Sequence, residues 1–300
     1  MFFTQSVYEF DPAHHAIAKI PSGTLITMQT QDCFGGQVKA GQKVNELNLS
    51  HTNPAVGPIY VISAEPGDAV RADILDIIPL GPGVTCTVPA CGPLCNTCEP
   101  RTIFLENREG FVDFQGLRFF TDPMVGVIGC TPIQPVPTGW VGDHGGNMDC
   151  KHIRKGASVY CPVFLEGGLF LLGDVHAVMG DGELCGTGLE VPALVTLRLT
   201  VIKQVNLRLP VLETPDKWYV IGHGKTYPEA LQLTTQVMQE LLMQQYGLDA
   251  ADAFLYLSLQ GDVEVCQSCI PCSIDMVLRC GVPKQIGKPL IGTLHENRPR

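Results

Sequence analysis

Charged and aromatic side chains are scarce in this sequence of 300 residues. The charged types make up 17 % and the aromatic types 7 %, with only two Trp. Basic runs are missing, and 20 Lys and Arg against 30 Asp and Glu leave a formal charge of −10. Such a chain lacks the positive stripe that holds nucleic acid or an anionic membrane surface, so neither is expected as a partner. Long apolar runs are also missing. The longest, near Val191–Ile202, is broken by Arg198 and falls short of the ~20 residues that span a bilayer. The N-terminal segment carries Glu9, Asp11, His14 and His15 where a signal peptide would have a basic start and an apolar core. The expected compartment is the cytoplasm.

Hydrophobic residues reach 45 %, which excludes disorder and supplies a sizeable core. With 32 Gly and 23 Pro, the composition suits many short strands joined by tight turns. Leu194–Ile202 alternates cleanly, with Val195, Leu197, Leu199 and Val201 on one face and Thr196, Arg198 and Thr200 on the other. That period of two predicts a strand with one buried face. Gly turns at Gly23, Gly67 and Gly156 precede further strands at Leu25–Thr30, Ala69–Ile77 and Ser158–Leu165. One long helix is expected over Glu229–Tyr246, with Pro228 in its first turn, Leu233, Val237, Leu241 and Leu242 as its apolar stripe, and Gly247 as its stop. Asp249–Leu259 reads as a second, short helix, and Thr131–Thr138 as a long surface loop. Residues 1–300 read as one catalytic unit with a soft subdivision near 150, because no Ser/Gly linker divides them.

Thirteen Cys are many for such a chain. Cys86, Cys91, Cys95 and Cys98 form one cluster; Cys266, Cys269 and Cys272, followed by Cys280, form another. The spacing matches no zinc-finger pattern, and the length argues against a secreted disulfide scaffold. Three readings stay open: reduced thiols packed as small hydrophobes, a structural metal, or a redox role.

Two stretches carry the chemistry. In Asp143-His144-Gly145-Gly146-Asn147-Met148-Asp149, the glycines permit a sharp fold that can converge His and carboxylates. In Gly173-Asp174-Val175-His176, the Asp and His lie two apart, so a strand points both to one face. Gly180–Gly182 then turn the chain and can return Glu183 to that face; Glu190 is a further candidate on the next strand. His and carboxylates are ordinary ligands of zinc and similar divalent ions. An ion so held polarises an amide carbonyl and lowers the pKa of a bound water, while a carboxylate outside the ligand set moves the proton. Glu183 is the choice for that base. Asp32, before the Gly35-Gly36 turn, joins only if the fold brings it there. His14, His15 and the Gly222-His223-Gly224-Lys225 segment read as exposed turns.

The motif His144-Gly145-Gly146-Asn147-Met148-Asp149 resembles the HGGNMD signature of the acetamidase/formamidase family. Gly173-Asp174-Val175-His176 with Gly180-Asp181-Gly182-Glu183 is similar to its GDxH…GDGE signature. Asn53-Pro54-Ala55-Val56-Gly57-Pro58-Ile59 and Glu65-Pro66-Gly67-Asp68 are similar to its NPxxGPI and EPGD segments. Order and spacing agree from about residue 10 to 285. The resemblance implies a mainly β fold, a jelly-roll-like sandwich joined to a smaller mixed α/β part, and hydrolysis of short linear amides to carboxylate and ammonia. It carries over Asp32, Asp149, Asp174 and His176 as metal ligands and Glu183, His144 and Asp149 as catalytic residues, with zinc as the expected ion and calcium as a possible second. The cysteines depart from the pattern. Two other functions compete: a cysteine-nucleophile amidase using Cys150 or Cys33, and a non-catalytic metal- or ligand-binding β-sandwich. A small amide is the expected substrate and a homo-oligomer the expected assembly.

Overall fold

A computed structural model describes residues 1–39, 47–48 and 51–291. The alternating strand occupies Ala193–Ile202, with Val195, Leu197 and Leu199 fully buried and Arg198 exposed. It pairs antiparallel with Thr24–Thr30 on one side and with Ala69–Pro79 on the other. These strands form the heart of a nine-stranded sheet that continues through Ser158–Pro162, Val211–Glu213, Lys217–Gly224, Met276–Pro283 and Asp262–Gln267. The Ser158 strand ends at Pro162 rather than at Leu165, because proline cannot donate to the ladder.

A second sheet is built around Phe170–His176, which pairs antiparallel with Met124–Cys130 on one edge and with Ala55–Val61 and Glu190–Val191 on the other. Every residue of Phe170–His176 and of Met124–Cys130 is buried. A single apolar cluster fills the space between the sheets; it runs from Ile20 and Ile26 through Val125, Leu172 and Leu197 to Val277. Face-to-face packing of this kind is the sandwich that the strand content predicts.

The far end of the first sheet meets two helices instead. Helix α1 spans Tyr227–Tyr246 and α2 spans Ala250–Gln260. A capping box between Thr226 and Glu229 starts α1, and Gly247, at φ 70°, closes it in the left-handed region, where glycine bears no Cβ penalty. Val237, Met238, Leu241 and Leu242 pack with Val220, Trp218 and Val282 of the sheet into a second cluster. Strands from before and after residue 150 interleave in both sheets. Residues 131–138 run mostly along the surface, with Thr131 and Thr138 buried as anchors and Val136–Pro137 bridged to Glu9–Phe10.

Candidate active site

Asp149 follows the short strand Gly145–Asn147. The amides of Met148 and Asp149 both donate to the carbonyl of Gly126, at 3.0 and 3.3 Å, which hangs this turn on the neighbouring strand. Asp174 lies inside Phe170–His176, flanked by the pairs Val125↔Val175 and Val127↔Gly173, so it stands opposite Gly126. A Cβ on Gly126 would fall 2.5 Å from Asp149 Oδ1 and 2.7 Å from Asp174 Oδ2. Only glycine leaves room there for both carboxylates. His176 and Glu190 sit opposite each other as a cross-strand pair. Glu183 arrives on the turn after Gly180, whose Gly182 amide is held by the Cys266 carbonyl at 2.9 Å.

Four carboxylates and one imidazole therefore meet. From His176 Nε2 the distances are 3.1 Å to Glu190 Oε2, 3.4 Å to Asp174 Oδ1 and 3.9 Å to Asp149 Oδ1. Asp149, His176 and Glu183 offer ligand atoms within 4.8 Å of one another, as do Cys33, Asp174 and Glu190. All four acids and His176 are buried. Asp149, Asp174 and Glu183 have φ of 41°, 55° and 45°. Left-handed backbone at non-glycine residues costs roughly 1–3 kcal/mol each and clusters at functional sites. The expected sharing of one face by Asp174 and His176 is met through this left-handed residue, not through a regular pleat.

Neighbouring amides orient the acids. Gln267 Nε2 donates to Asp149 Oδ2 at 2.6 Å and to Glu183 Oε2 at 3.0 Å. Asn53 Nδ2 donates to Asp174 Oδ2 at 3.0 Å and to Asn147 Oδ1 at 3.3 Å. The Gly188 amide donates to Glu190 Oε1 at 2.8 Å. Among the described residues, the buried atoms of these four acids and His176 without a hydrogen-bond partner are Asp149 Oδ1, Asp174 Oδ1, Glu190 Oε2 and both nitrogens of His176. Four of these five are the atoms that converge on one point.

The electrostatics follow from burial and crowding. Burial, then Glu183 and Asp174, push the Asp149 carboxyl well up. Burial raises Glu183. Glu190 is pushed up to about 8 by burial, with Asp174 and Glu183 adding and His176 opposing. Burial works against the His176 imidazolium, yet Glu190 and Asp174 hold it well above its usual value. Buried unpaired charge is costly, and among the described residues four acids here face one imidazole. A divalent cation would answer both the charge and the orphaned atoms. Zinc bonds of about 2.0–2.2 Å to nitrogen and oxygen put neighbouring ligands about 3–4 Å apart, which the separations around His176 Nε2 already match.

Asp32 Oδ1 accepts from the amides of Phe34 and Gly36, at 2.9 and 3.2 Å, and so closes its own turn. His144 is buried edge-on against Phe10, at 4.7 Å between ring centroids, and burial followed by His223 lowers its pKa to about 4. Neither residue supplies an atom to the two ligand groups. His223 lies within the strand Lys217–Gly224, not in an exposed turn, and is bracketed by Asp143 and Asp275 at 3.2 and 3.0 Å. Cys150 is sealed in the core with no exposure, and burial, Glu190 and Asp174 push the Cys33 thiol well up; neither suits a nucleophile, which must be an accessible thiolate. The residues that sequence reasoning missed are Gln267, Asn53, Asn147 and Gly126. Asn53 and Asn147 stand inside the Asn53–Ile59 and His144–Asp149 motifs, whereas Gln267 and Gly126 carry no signal of their own.

A cleft of about 1090 Å³ opens above these groups, lined by Asn53, Asn147, Asp174, Glu183, Glu190 and Gln267 among others. The acetamidase/formamidase family model matches residues 5–142 and 140–270. The chain belongs to this family. It is an amidase, a hydrolase of carbon–nitrogen bonds in linear amides, which sets aside the non-catalytic binder. The amidase is similar to the formamidase of Methylophilus methylotrophus, at 25 % identity over 293 residues, 71 % of this chain and 70 % of that protein. It is also similar to the acetamidase of Mycolicibacterium smegmatis, at 24 % identity, where the match spans 64 % of the relative's length. The crystal structure of the acetamidase from Bacillus halodurans superposes with a TM-score of 0.90 at 34 % identity, covering 94 % of this chain and 97 % of that one. A gamma lactamase from Delftia acidovorans, at 20 % identity and a TM-score of 0.66, shares the fold. Among the described residues, no helix is long and apolar enough to cross a membrane.

Proposed function

We propose that this amidase is metal-dependent and cleaves a short linear amide to carboxylate and ammonia. The observation that carries the reading is the set of inward-facing Asp149, Asp174, Glu190 and His176 atoms without hydrogen-bond partners. Those four residues would hold a divalent ion, zinc by their mixed imidazole and carboxylate donors. Such an ion supplies Lewis acidity toward the amide carbonyl and acidifies water.

The chain's own groups do the rest. Glu183 lines the cleft, whereas Asp149 and His176 lie beneath its lining. Its raised pKa lets it take a proton from the attacking water and deliver it to the departing nitrogen, the balance being amide plus water to carboxylate plus ammonium. Gln267 orients Glu183 and Asp149 together through one amide nitrogen. Asn53 orients Asp174. The cleft volume, about 1090 Å³, is generous for a formamide- or acetamide-like substrate, since drug-sized ligands occupy pockets of about 300–1000 Å³. Selection for short amides would then rest on the polar floor.

The test is ammonia release from formamide, acetamide and longer aliphatic amides, before and after chelation and after return of zinc. Turnover that chelation abolishes and zinc restores is the expected result. Full turnover by chelated, metal-free protein would refute metal dependence, and no turnover on any amide would refute the substrate class.

A further inference from the structure

The two cysteine stretches of the sequence meet in space. Cys91 follows the strand Gly83–Cys86, while Cys269 and Cys272 lie between Asp262–Gln267 and Met276–Pro283. Their three sulfurs lie within 4.8 Å of one another. Cys269 Sγ and Cys272 Sγ are 3.5 Å apart. The two segments are fastened beside the thiols: the Gly92 amide donates to the Cys269 carbonyl at 2.6 Å, and the Cys91 thiol donates to the same carbonyl at 3.4 Å. Gly186 is shaped to this arrangement, because a Cβ on it would lie 2.7 Å from Cys91 Sγ.

Of the other thiols, Cys130, Cys150, Cys161 and Cys266 are buried in the sandwich core. Cys91, Cys269 and Cys272 instead line the cleft above the carboxylate floor. Zinc–thiolate bonds of about 2.3 Å in a tetrahedral site put sulfurs about 3.8 Å apart. The three sulfurs reach that spacing with shifts of no more than about one ångström. Thiolates favour soft or borderline cations over calcium and magnesium, which prefer oxygen.

We propose that Cys91, Cys269 and Cys272 form a three-thiolate site for a zinc-type divalent cation at the rim of the cleft, separate from the carboxylate–imidazole floor. The fourth position faces the cleft. Binding forms three sulfur–metal bonds and releases the three thiol protons to solvent, so affinity rises with pH. The site ties the loop bearing Cys269 to the turn at Cys91 and so fixes one wall of the cleft.

Cobalt(II) added to reduced, metal-stripped full-length protein tests this directly. Thiolate ligation gives sulfur-to-cobalt charge-transfer absorption in the near ultraviolet, which carboxylates and imidazole do not. The wild type should show that band and bind one equivalent more cobalt than Cys91→Ser/Cys272→Ser, which should lack it. The single variant Cys272→Ser, at a half-buried position, guards against misfolding of the double variant and should lower the band in proportion to the lost thiolate. His176→Gln should keep the band and lose the other equivalent, so failure here is distinct from failure of the metal-dependent amidase reading. No charge-transfer band in the wild type, or an undiminished band in the double variant, would overturn the proposal. So would a Cys269–Cys272 disulfide in protein purified without reductant that yields no cobalt-binding thiolate on reduction.

Discussion

Asp181 and Asp149 are both motif aspartates near one turn, and they are treated in opposite ways. Asp181 accepts a bidentate pair from the fully buried Arg279, at 2.8 and 2.8 Å, and a further contact from Lys151 at 2.7 Å. Arg279 is shared with Glu264 at 2.8 Å. Those cations hold the Asp181 carboxyl below its usual range against burial. Asp149, 1 % exposed, faces Asp174, Glu183 and Glu190, with His176 as the one base beside it among the described residues. The first group is a closed ion-pair network that secures the turn carrying Glu183. The second is an open one, which we propose a cation completes. The difference separates a structural acid from a functional one better than burial or motif position does.

The largest effect should come at the open cluster. Glu183→Gln keeps the shape and the Gln267 contact but cannot take a proton. kcat should fall ~10²–10⁴-fold with zinc content unchanged; full activity would assign the base elsewhere. At the closed network, Arg279→Met should leave zinc bound but lower stability by about 3 kcal/mol, the low end for a broken buried ion pair because Asp181 and Glu264 can reach water. Denaturant unfolding reads this, and an unchanged midpoint would dissolve the contrast. Gln267→Ala removes only an orienting amide, so metal affinity or activity should drop ~10–100-fold, measured by competition with a chelator and by turnover.

The smallest effect concerns the metal-free protein and has a definite sign. Folded Glu190 keeps its proton up to about pH 8, whereas an ordinary Glu releases it near 4.5. The folded state then binds more protons across that window, so stability is full below it and is lost as pH rises through it. Asp149, Glu183 and His176 are raised as well and act in the same direction. The melting temperature of stripped protein should therefore fall from pH 5 to pH 8, and zinc should remove the decline. Asp149→Asn should flatten it, since one crowding charge is gone. A melting temperature that rises over this range would contradict the open-cluster account.

Much of this was legible from local pattern. The alternation at Val195–Leu199, the stripe of α1 and its Gly247 stop are short-range signals, and the structure follows them. The acids Asp149, Asp174 and Glu183 and the base His176 were readable because glycine turns and a two-residue spacing set them off from apolar strands. Gln267 and Gly126 matter through long-range register, which no local pattern encodes: Gly126 is ordinary until Asp149 and Asp174 lie against it. The same holds for Cys91, which meets Cys269 across 178 residues. His144 and Asp32 were given their roles through the family resemblance; His144 packs against Phe10 and Asp32 closes its own turn.

The central claim is that the open cluster is a cation centre. Anomalous scattering at the zinc edge, from crystals of the zinc-loaded amidase, tests it most directly. The account predicts a peak bonded to His176, Asp149, Asp174 and Glu190, with Glu183 and Gln267 beside it. Crystals with zinc in solution but no peak among those residues would contradict it.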